Sequence, residues 1–200
     1  MPTFKFSART AVLIIIIIVV AALRLASFYG SGPFTLFTPL GAIALFAGAY
    51  FKGWITPVLC PLLTLFISDV IVSFTLFPEL RVGLLYSGWE WTYLAFALIT
   101  LAGKFILRYV NIKQVVLAVL AATFIHWIVS DLGMCIQENR FTASLYIEKL
   151  VSAVSYELRF MAGTALYSAI LFGGFELLAK KYPLLRIAAN KNTGYNKVTI

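Results

Sequence analysis

The segment VVLAVLAATFIHWIVSDLGMCI, residues 115–136, is a long apolar run interrupted by very few polar side chains. A helix that crosses the hydrocarbon core of a bilayer needs roughly 20 mainly apolar residues. The segment is about that long, so it predicts a membrane-spanning helix. Its strongly polar members are His126, Ser130 and Asp131, and ionisable groups inside a span are costly enough to indicate a functional site.

The composition of the whole chain indicates the same class. Of 200 residues, 62% are hydrophobic and 12% are charged, whereas soluble domains have about 45–50% apolar and about 25% charged residues. A disordered chain needs low hydrophobicity, so both of these classes are excluded. We expect an all-α polytopic membrane protein with six transmembrane helices in one bundle. This single domain covers residues 1–180, and a basic cytoplasmic tail covers residues 181–200.

Five further apolar runs accompany residues 115–136. An uncharged Gly/Pro/Ser turn at residues 29–36 separates spans 1 and 2, and a tight turn at Lys52 and Gly53 separates spans 2 and 3. Polar connections at residues 78–90 and 137–149 precede spans 4 and 6. Span 2 is short and rich in Gly and Ala, which lets helices approach closely. The six predicted spans are 8–28, 37–51, 54–77, 91–107, 115–136 and 150–178.

The distribution of Lys and Arg predicts the orientation. The net charge is +8, with 16 Lys and Arg residues. Six spans place eleven of these on the side that holds both termini, and the positive-inside rule makes that side the cytoplasm. We expect a protein of the bacterial cytoplasmic membrane. Its positive charge then reflects membrane topology, so we expect the lipid bilayer as its partner and no binding of nucleic acid. The eleven are Lys5, Arg9, Lys52, Lys104, Arg108, Lys113, Lys180, Lys181, Arg186, Lys191 and Lys197.

Ionisable groups cluster in the outer halves of the spans or near the membrane midplane. This one-sided pattern predicts a polar cavity that opens outward, lined by spans 1, 3, 5 and 6. On span 5, i,i+4 spacing places His126 with Ser130 on one helix face and Trp127 with Asp131 on another. The expected ligand-binding residues are Arg24, Asp69, His126, Trp127, Ser130, Asp131, Glu157 and Arg159.

The same residues also allow a purely structural interpretation. Arg24 and Arg159 would then pair with Asp69 and Asp131 and lock the helices together. His126 could be an interhelical histidine, a ligand contact or a proton-relay group, and Trp127 could either pack or stack on a flat ring.

Enzyme and metal signatures are absent from the sequence. There is no GxSxG, HExxH or P-loop motif. The chain has a single histidine, and Cys60 and Cys135 form no CxxC pair. We therefore expect no enzymatic activity, no metal and no cofactor, and any ATP hydrolysis would come from a partner.

Five stretches carry a family resemblance. With FTPLGAIALFAGAYF (37–51), LFISDVIVSF (65–74), YLAFALITLAGK (93–104), SDLGMCI (130–136) and ALYSAILFGGF (165–175), the chain resembles an uncharacterised family of small bacterial six-helix membrane proteins (DUF6580-like). It is similar, more distantly, to the substrate-binding S components of energy-coupling-factor (ECF) vitamin transporters. The motif order covers residues 24–179.

The resemblance implies a function. S components bind vitamins in an outward cavity beneath the loop between their first two helices, and a membrane coupling protein with two ATPases drives them. It implies a membrane subunit that binds a small polar or aromatic nutrient for uptake, with residues 29–36 as a lid. S components commonly carry an AxxxA motif in the first helix for docking to the coupling protein. In this chain Ala22 and Ala26 have that spacing, but they lie at the outer end of span 1. Pro2 stands where metal-transporting members carry a histidine.

Two other functions remain open from the sequence. One is a stand-alone proton-coupled carrier or small channel that uses Asp69, His126 and Asp131 as a relay. The other is a structural membrane protein held together by interhelical ion pairs.

Overall fold

Helices form most of the part of the chain that the structure describes. The computed structural model describes residues 11–15, 17–19, 22, 37–137, 141–182 and 185. We label the helical residues 11–15 and 17–19 α1. The longer helices are α2 (Leu40–Tyr50), α3 (Ile55–Thr75), α4 (Trp89–Ile106), α5 (Ile112–Gln137) and α6 (Ala143–Lys181). The predicted helical class is therefore confirmed.

Among the described residues, three helices are long and apolar enough to cross a membrane, namely α3, α5 and α6. This finding supports a membrane protein. The helix α2 has 11 residues and is about 16 Å long at 1.5 Å per residue, about half of the roughly 30 Å hydrocarbon core. It is shorter than predicted span 2 because Phe37 and Thr38 are not helical and the helix starts only after Pro39.

The short helix α2 forms the centre of the bundle. Every α2 residue except Ala49 is buried, and α2 contacts α3, α4, α5 and α6. A Cβ atom added to Gly48 would lie 2.2 Å from the carbonyl oxygen of Thr100 on α4. The absence of a side chain at Gly48 is what lets the two backbones pack this closely, as expected from the small residues of this segment.

The connection between α3 and α4 contains short regular structure that the sequence did not predict. After a 3-10 turn at Pro78–Leu80, strand β1 (Arg81–Val82) pairs antiparallel with β2 (Leu85–Tyr86). Gly83 lies between the strands with φ of 76°, which favours glycine. We call this end of the bundle the hairpin end.

The opposite end, which we call the basic end, is where α2, α4 and α6 finish and α5 begins. The predicted turn after α2 is present, with Gly53 at φ of 78°. The Tyr50 hydroxyl donates a hydrogen bond to Glu176 Oε1 and so ties α2 to α6 here. The described Lys and Arg residues at this end are Lys52, Lys104, Arg108, Lys113, Lys180 and Lys181.

The helix α6 begins at Ala143, well before predicted span 6. The side chain of Thr142 accepts a hydrogen bond from the Leu145 N–H at 3.2 Å, which is a typical N-terminal cap. Residues 143–149, the end of the connection predicted at 137–149, are therefore helical. With 39 residues, α6 would be about 58 Å long if straight, nearly twice the hydrocarbon core.

The first half of α6 is held against α5 by hydrogen bonds. The Trp127 indole N–H donates to the Leu150 carbonyl at 3.0 Å, and the Tyr146 hydroxyl donates to the Ile128 carbonyl at 3.0 Å. These bonds fix the side chains of α6 that face the interior at the hairpin end.

Candidate functional site

A cavity of about 630 Å³ lies inside the hairpin end of the bundle. Side chains from α3, α4, α5 and α6 form its walls, and Thr38 and Leu40 at the start of α2 also line it. Pockets for small molecules typically measure about 300–1,000 Å³. The cavity is therefore large enough for a small solute, and we call it the hairpin-end cavity.

Five of the eight predicted site residues line the hairpin-end cavity. Asp69 comes from α3, Glu157 comes from α6, and the remaining three come from α5. Asp69, His126, Asp131 and Glu157 are all buried. The structure thus brings together groups from three helices that lie far apart in the sequence. The three from α5 are His126, Ser130 and Asp131.

Trp127 and Arg159 do not belong to the cavity lining. Successive helical residues are rotated by about 100°, so Trp127 points away from the side occupied by His126. Its indole N–H bonds to Leu150 instead. Arg159 follows Glu157 by two residues, which turns it to the opposite side of α6, where it is exposed. Arg24 lies outside the described residues.

A buried hydrogen bond joins His126 on α5 to Glu157 on α6. The distance from His126 Nδ1 to Glu157 Oε1 is 2.7 Å, and the two side chains are 7% and 6% exposed. The imidazole stacks on the Phe160 ring at 4.4 Å between centroids with an interplanar angle of 21°. The ring of Phe96 meets the imidazole edge-on at 5.6 Å. Pairing and stacking together hold the imidazole in one orientation.

Two carboxyl oxygens at the cavity have no hydrogen-bond partner among the described residues. They are Asp131 Oδ2 and Glu157 Oε2, and their residues are only 6% and 4% exposed. A buried polar group without a partner costs roughly 1–3 kcal/mol, and more when it is charged. Both carboxyl groups therefore have hydrogen-bonding capacity left beside the cavity.

A third carboxyl group, that of Asp69, lies across the cavity on α3. The Tyr93 hydroxyl of α4 donates to Asp69 Oδ2 at 3.4 Å, a long hydrogen bond. Asp69 is 5% exposed. The three carboxyl groups thus reach the same space from three different helices.

Lys149 and Tyr156 on α6 also line the cavity, and neither is among the site residues predicted from the sequence. Lys149 falls in the connection predicted at 137–149 because the predicted start of span 6 is too late. With α6 beginning at Ala143, Lys149, Ser152, Tyr156 and Phe160 are spaced by three or four residues and share one helix face. The Thr142 cap was the signal that could have revealed this face.

The connection between α3 and α4 contributes to the cavity at the hairpin end. Phe77 and Tyr86 are among its lining residues, and Leu85 on β2 is 3% exposed. The hairpin is therefore anchored to the bundle. The lid expected from the resemblance, residues 29–36, lies outside the described residues.

The basic end differs in character. A smaller cleft of about 250 Å³ lies beside Trp54, Lys104 and Phe105, and the Lys104 ammonium donates to the Gly53 carbonyl at 2.6 Å.

Across the described ranges, no group of three or more His, Cys, Asp and Glu side chains is placed to hold a metal ion.

Comparison with known proteins identifies a family for this chain. No curated protein matches it, and no solved structure does. Residues 4–185 match the model of a family of unknown function, DUF6580, and the chain therefore belongs to that family.

Proposed function

We propose that this protein is a membrane subunit that binds a small polar or aromatic nutrient in the hairpin-end cavity for uptake. One observation carries the proposal: the cavity is lined by two buried carboxyl groups, Asp131 and Glu157, that each keep one oxygen without a partner among the described residues. Intramembrane carboxyl groups that face a cavity mark substrate or ion pathways.

A purely structural role for these carboxyl groups fits the geometry less well. In that interpretation Arg24 and Arg159 would pair with the acidic groups. Arg24 lies outside the described residues, and Arg159 is exposed on the other side of α6. The His126–Glu157 bond uses one Glu157 oxygen and leaves the other one available. Packing alone would also leave no reason for a cavity of about 630 Å³ at this place.

The proposal includes an orientation and a partner. We place the hairpin end outside and both termini in the cytoplasm of a bacterial cell, in an S-component-like bundle of six spans. The described Lys and Arg residues at the basic end support this orientation through the positive-inside rule. Because the chain contains no nucleotide-binding motif, a membrane coupling protein with ATPase subunits would supply the energy.

The orientation can be tested by cysteine labelling in intact cells. Ser87→Cys at the hairpin end and Lys113→Cys at the basic end are both exposed, and they are introduced after Cys60 and Cys135 have been changed to Ala. A membrane-impermeant maleimide should label Ser87→Cys in intact cells and Lys113→Cys only after lysis. The reverse pattern contradicts the orientation.

Binding can be tested by native mass spectrometry of the full chain purified in mild detergent. We expect a small molecule to copurify with the wild type and to be lost in Asp131→Asn. Arg159→Gln is the matched control because Arg159 is charged and on α6 but does not line the cavity, so it should retain the molecule. Equal retention by wild type and Asp131→Asn would contradict the proposed site.

The His126–Glu157 pair favours a second candidate, a stand-alone proton-coupled carrier. A histidine hydrogen-bonded to a carboxyl group, with Asp131 on the same cavity, provides groups between which a proton can move. Solute uptake into vesicles that contain only this chain, driven by a pH gradient and abolished in His126→Phe, would support the carrier. Uptake that requires added ATPase subunits would support the binding subunit.

A further inference from the structure

We infer that the ligand of the hairpin-end cavity is an organic ammonium compound, a positively charged nitrogen attached to an apolar or aromatic frame. This inference rests on the proposed function and specifies its substrate class. The acidic groups of the lining carry it, and Arg159 does not line the cavity.

The first support is the charge of the lining. The described cavity residues include three carboxyl groups, Asp69, Asp131 and Glu157, and a single ammonium group, that of Lys149. Charges inside a medium of low dielectric constant cost much free energy unless they are compensated. A cationic ligand reduces this excess of acidic groups, whereas an anionic ligand increases it.

The second support is the position of the available oxygens. The hydrogen bond between Glu157 Oε1 and His126 Nδ1 is 2.7 Å long. It leaves Glu157 Oε2 for another partner. Asp131 Oδ2 also has capacity left, and Asp131 interacts electrostatically with Glu157 and, in the opposite sense, with His126 and Lys149. A primary ammonium group has three N–H donors, so it can satisfy acceptors from α5 and α6 together.

The third support is the aromatic wall beside the carboxyl groups. Phe96, Tyr156 and Phe160 line the same cavity, and their rings surround the His126 imidazole. Such rings accept the carbon frame of a ligand and attract a nearby cation through their π faces. The cavity thus combines an acidic part with an apolar part.

An inorganic cation fits the site less well than an organic one. Divalent metal ions need several oxygen or nitrogen ligands at short range, and no cluster of three such side chains occurs among the residues described. A cavity of about 630 Å³ is also far larger than a bare ion requires.

Three probes that differ mainly in their polar head test the inference: 2-phenylethylamine, 2-phenylethanol and 3-phenylpropionate. Each is titrated at neutral pH into the full chain in nanodiscs of neutral lipid, and the dissociation constant is measured by calorimetry. We expect the amine to bind at least about tenfold more tightly than the alcohol and the carboxylate to bind most weakly. Asp131→Asn and Glu157→Gln should each abolish this preference, whereas Arg159→Gln should preserve it.

The outcomes separate the ligand class from the proposed function. If 3-phenylpropionate or 2-phenylethanol binds best and Asp131→Asn weakens that binding, the cavity binds solutes but the ammonium class is wrong. If no probe binds and no solute copurifies, both the ligand class and the proposed function are overturned. If no probe binds but a solute copurifies, its chemistry decides: a compound with an ammonium group supports the inference, and one without it overturns the inference.

Discussion

The two ends of the bundle use the same helices for different purposes. At the basic end, Phe46 and Tyr50 pack against each other and against Phe172 and Phe175, with ring centroids 4.5–5.7 Å apart. Glu176 accepts a hydrogen bond from Tyr50 there. At the hairpin end, the helices enclose a cavity and two buried carboxyl groups keep an oxygen without a described partner.

The length of α2 explains this difference. The helix occupies the centre of the basic half and is about 16 Å long, half of the hydrocarbon core. Thr38 and Leu40, where α2 begins, line the cavity, so they form its floor. Beyond this point the described chain has no central helix to fill the space between α3, α5 and α6. Because the central helix is short, the basic half of the bundle is closely packed and the hairpin half has space for a ligand.

The largest expected effect comes from disturbing the central helix. Gly48→Val places a side chain against the Thr100 carbonyl oxygen, 2.2 Å from the position of its Cβ atom, and backbone atoms of α4 cannot move aside cheaply. We expect a loss of about 3 kcal/mol or more in stability, measured by thermal unfolding in mild detergent. Gly173→Val is the control because a Cβ atom there meets nothing within 4 Å. Similar unfolding temperatures for the two variants would contradict the proposed packing.

A smaller effect should distinguish the acidic residues of the two ends. Glu157→Ala removes the bond to His126, and Glu176→Ala removes the bond to Tyr50. Each should lower stability by about 1–2 kcal/mol. Only Glu157→Ala should also abolish solute retention in native mass spectrometry. Loss of the solute in both variants would mean that the two ends do not differ in function.

The hairpin should influence how long a ligand stays bound. Tyr86→Ala removes a lining side chain at the hairpin end, so ligand dissociation should become about fivefold faster, with little change in association. Stopped-flow displacement of a bound amine measures dissociation, and mixing of the amine with the ligand-free protein measures association. Val82→Ala, in the same hairpin but 68% exposed, should behave as the wild type. An unchanged dissociation rate in Tyr86→Ala would show that the hairpin does not limit release.

The smallest effect should come from the long hydrogen bond to Asp69. Tyr93→Phe removes a contact of 3.4 Å, which is near the limit of hydrogen-bond geometry. We expect a stability change of about 0.5 kcal/mol and a change in amine affinity below about threefold. Tyr182→Phe, exposed at the C-terminal cap of α6, provides the reference for loss of a hydroxyl group. A large loss of affinity in Tyr93→Phe would indicate that Tyr93 itself contacts the ligand.

Several features of the fold were predictable because they depend on residues close together in the chain. The apolar run at 115–136 predicted a helix that the structure places at Ile112–Gln137, and the tight turn at Lys52 and Gly53 is present. The small residues of the second run predicted a close helix approach, which Gly48 confirms. The start of α6 was wrong because a polar, capped first turn resembles a connection when apolar content alone is considered.

The site was predictable only as a set of residue types. The cost of burying ionisable groups was enough to select Asp69, His126, Asp131 and Glu157, and the structure places all four on one cavity. The same criterion also selected Arg159, and helical spacing with Asp131 selected Trp127; both lie outside the lining. Their position depends on the rotation of α5 and α6 about their axes, which the packing of neighbouring helices decides.

The sequence by itself determined that this is a helical membrane protein with acidic groups inside its apolar runs, because hydrophobic length and the cost of buried charge are local properties. Only the tertiary structure decided that His126 pairs with Glu157, that Lys149 joins the cavity, and that α2 ends the packed half of the bundle. These are contacts between helices distant in the chain. They depend on the rotation of each helix and on close packing, and the spacing of residues along the chain does not fix either.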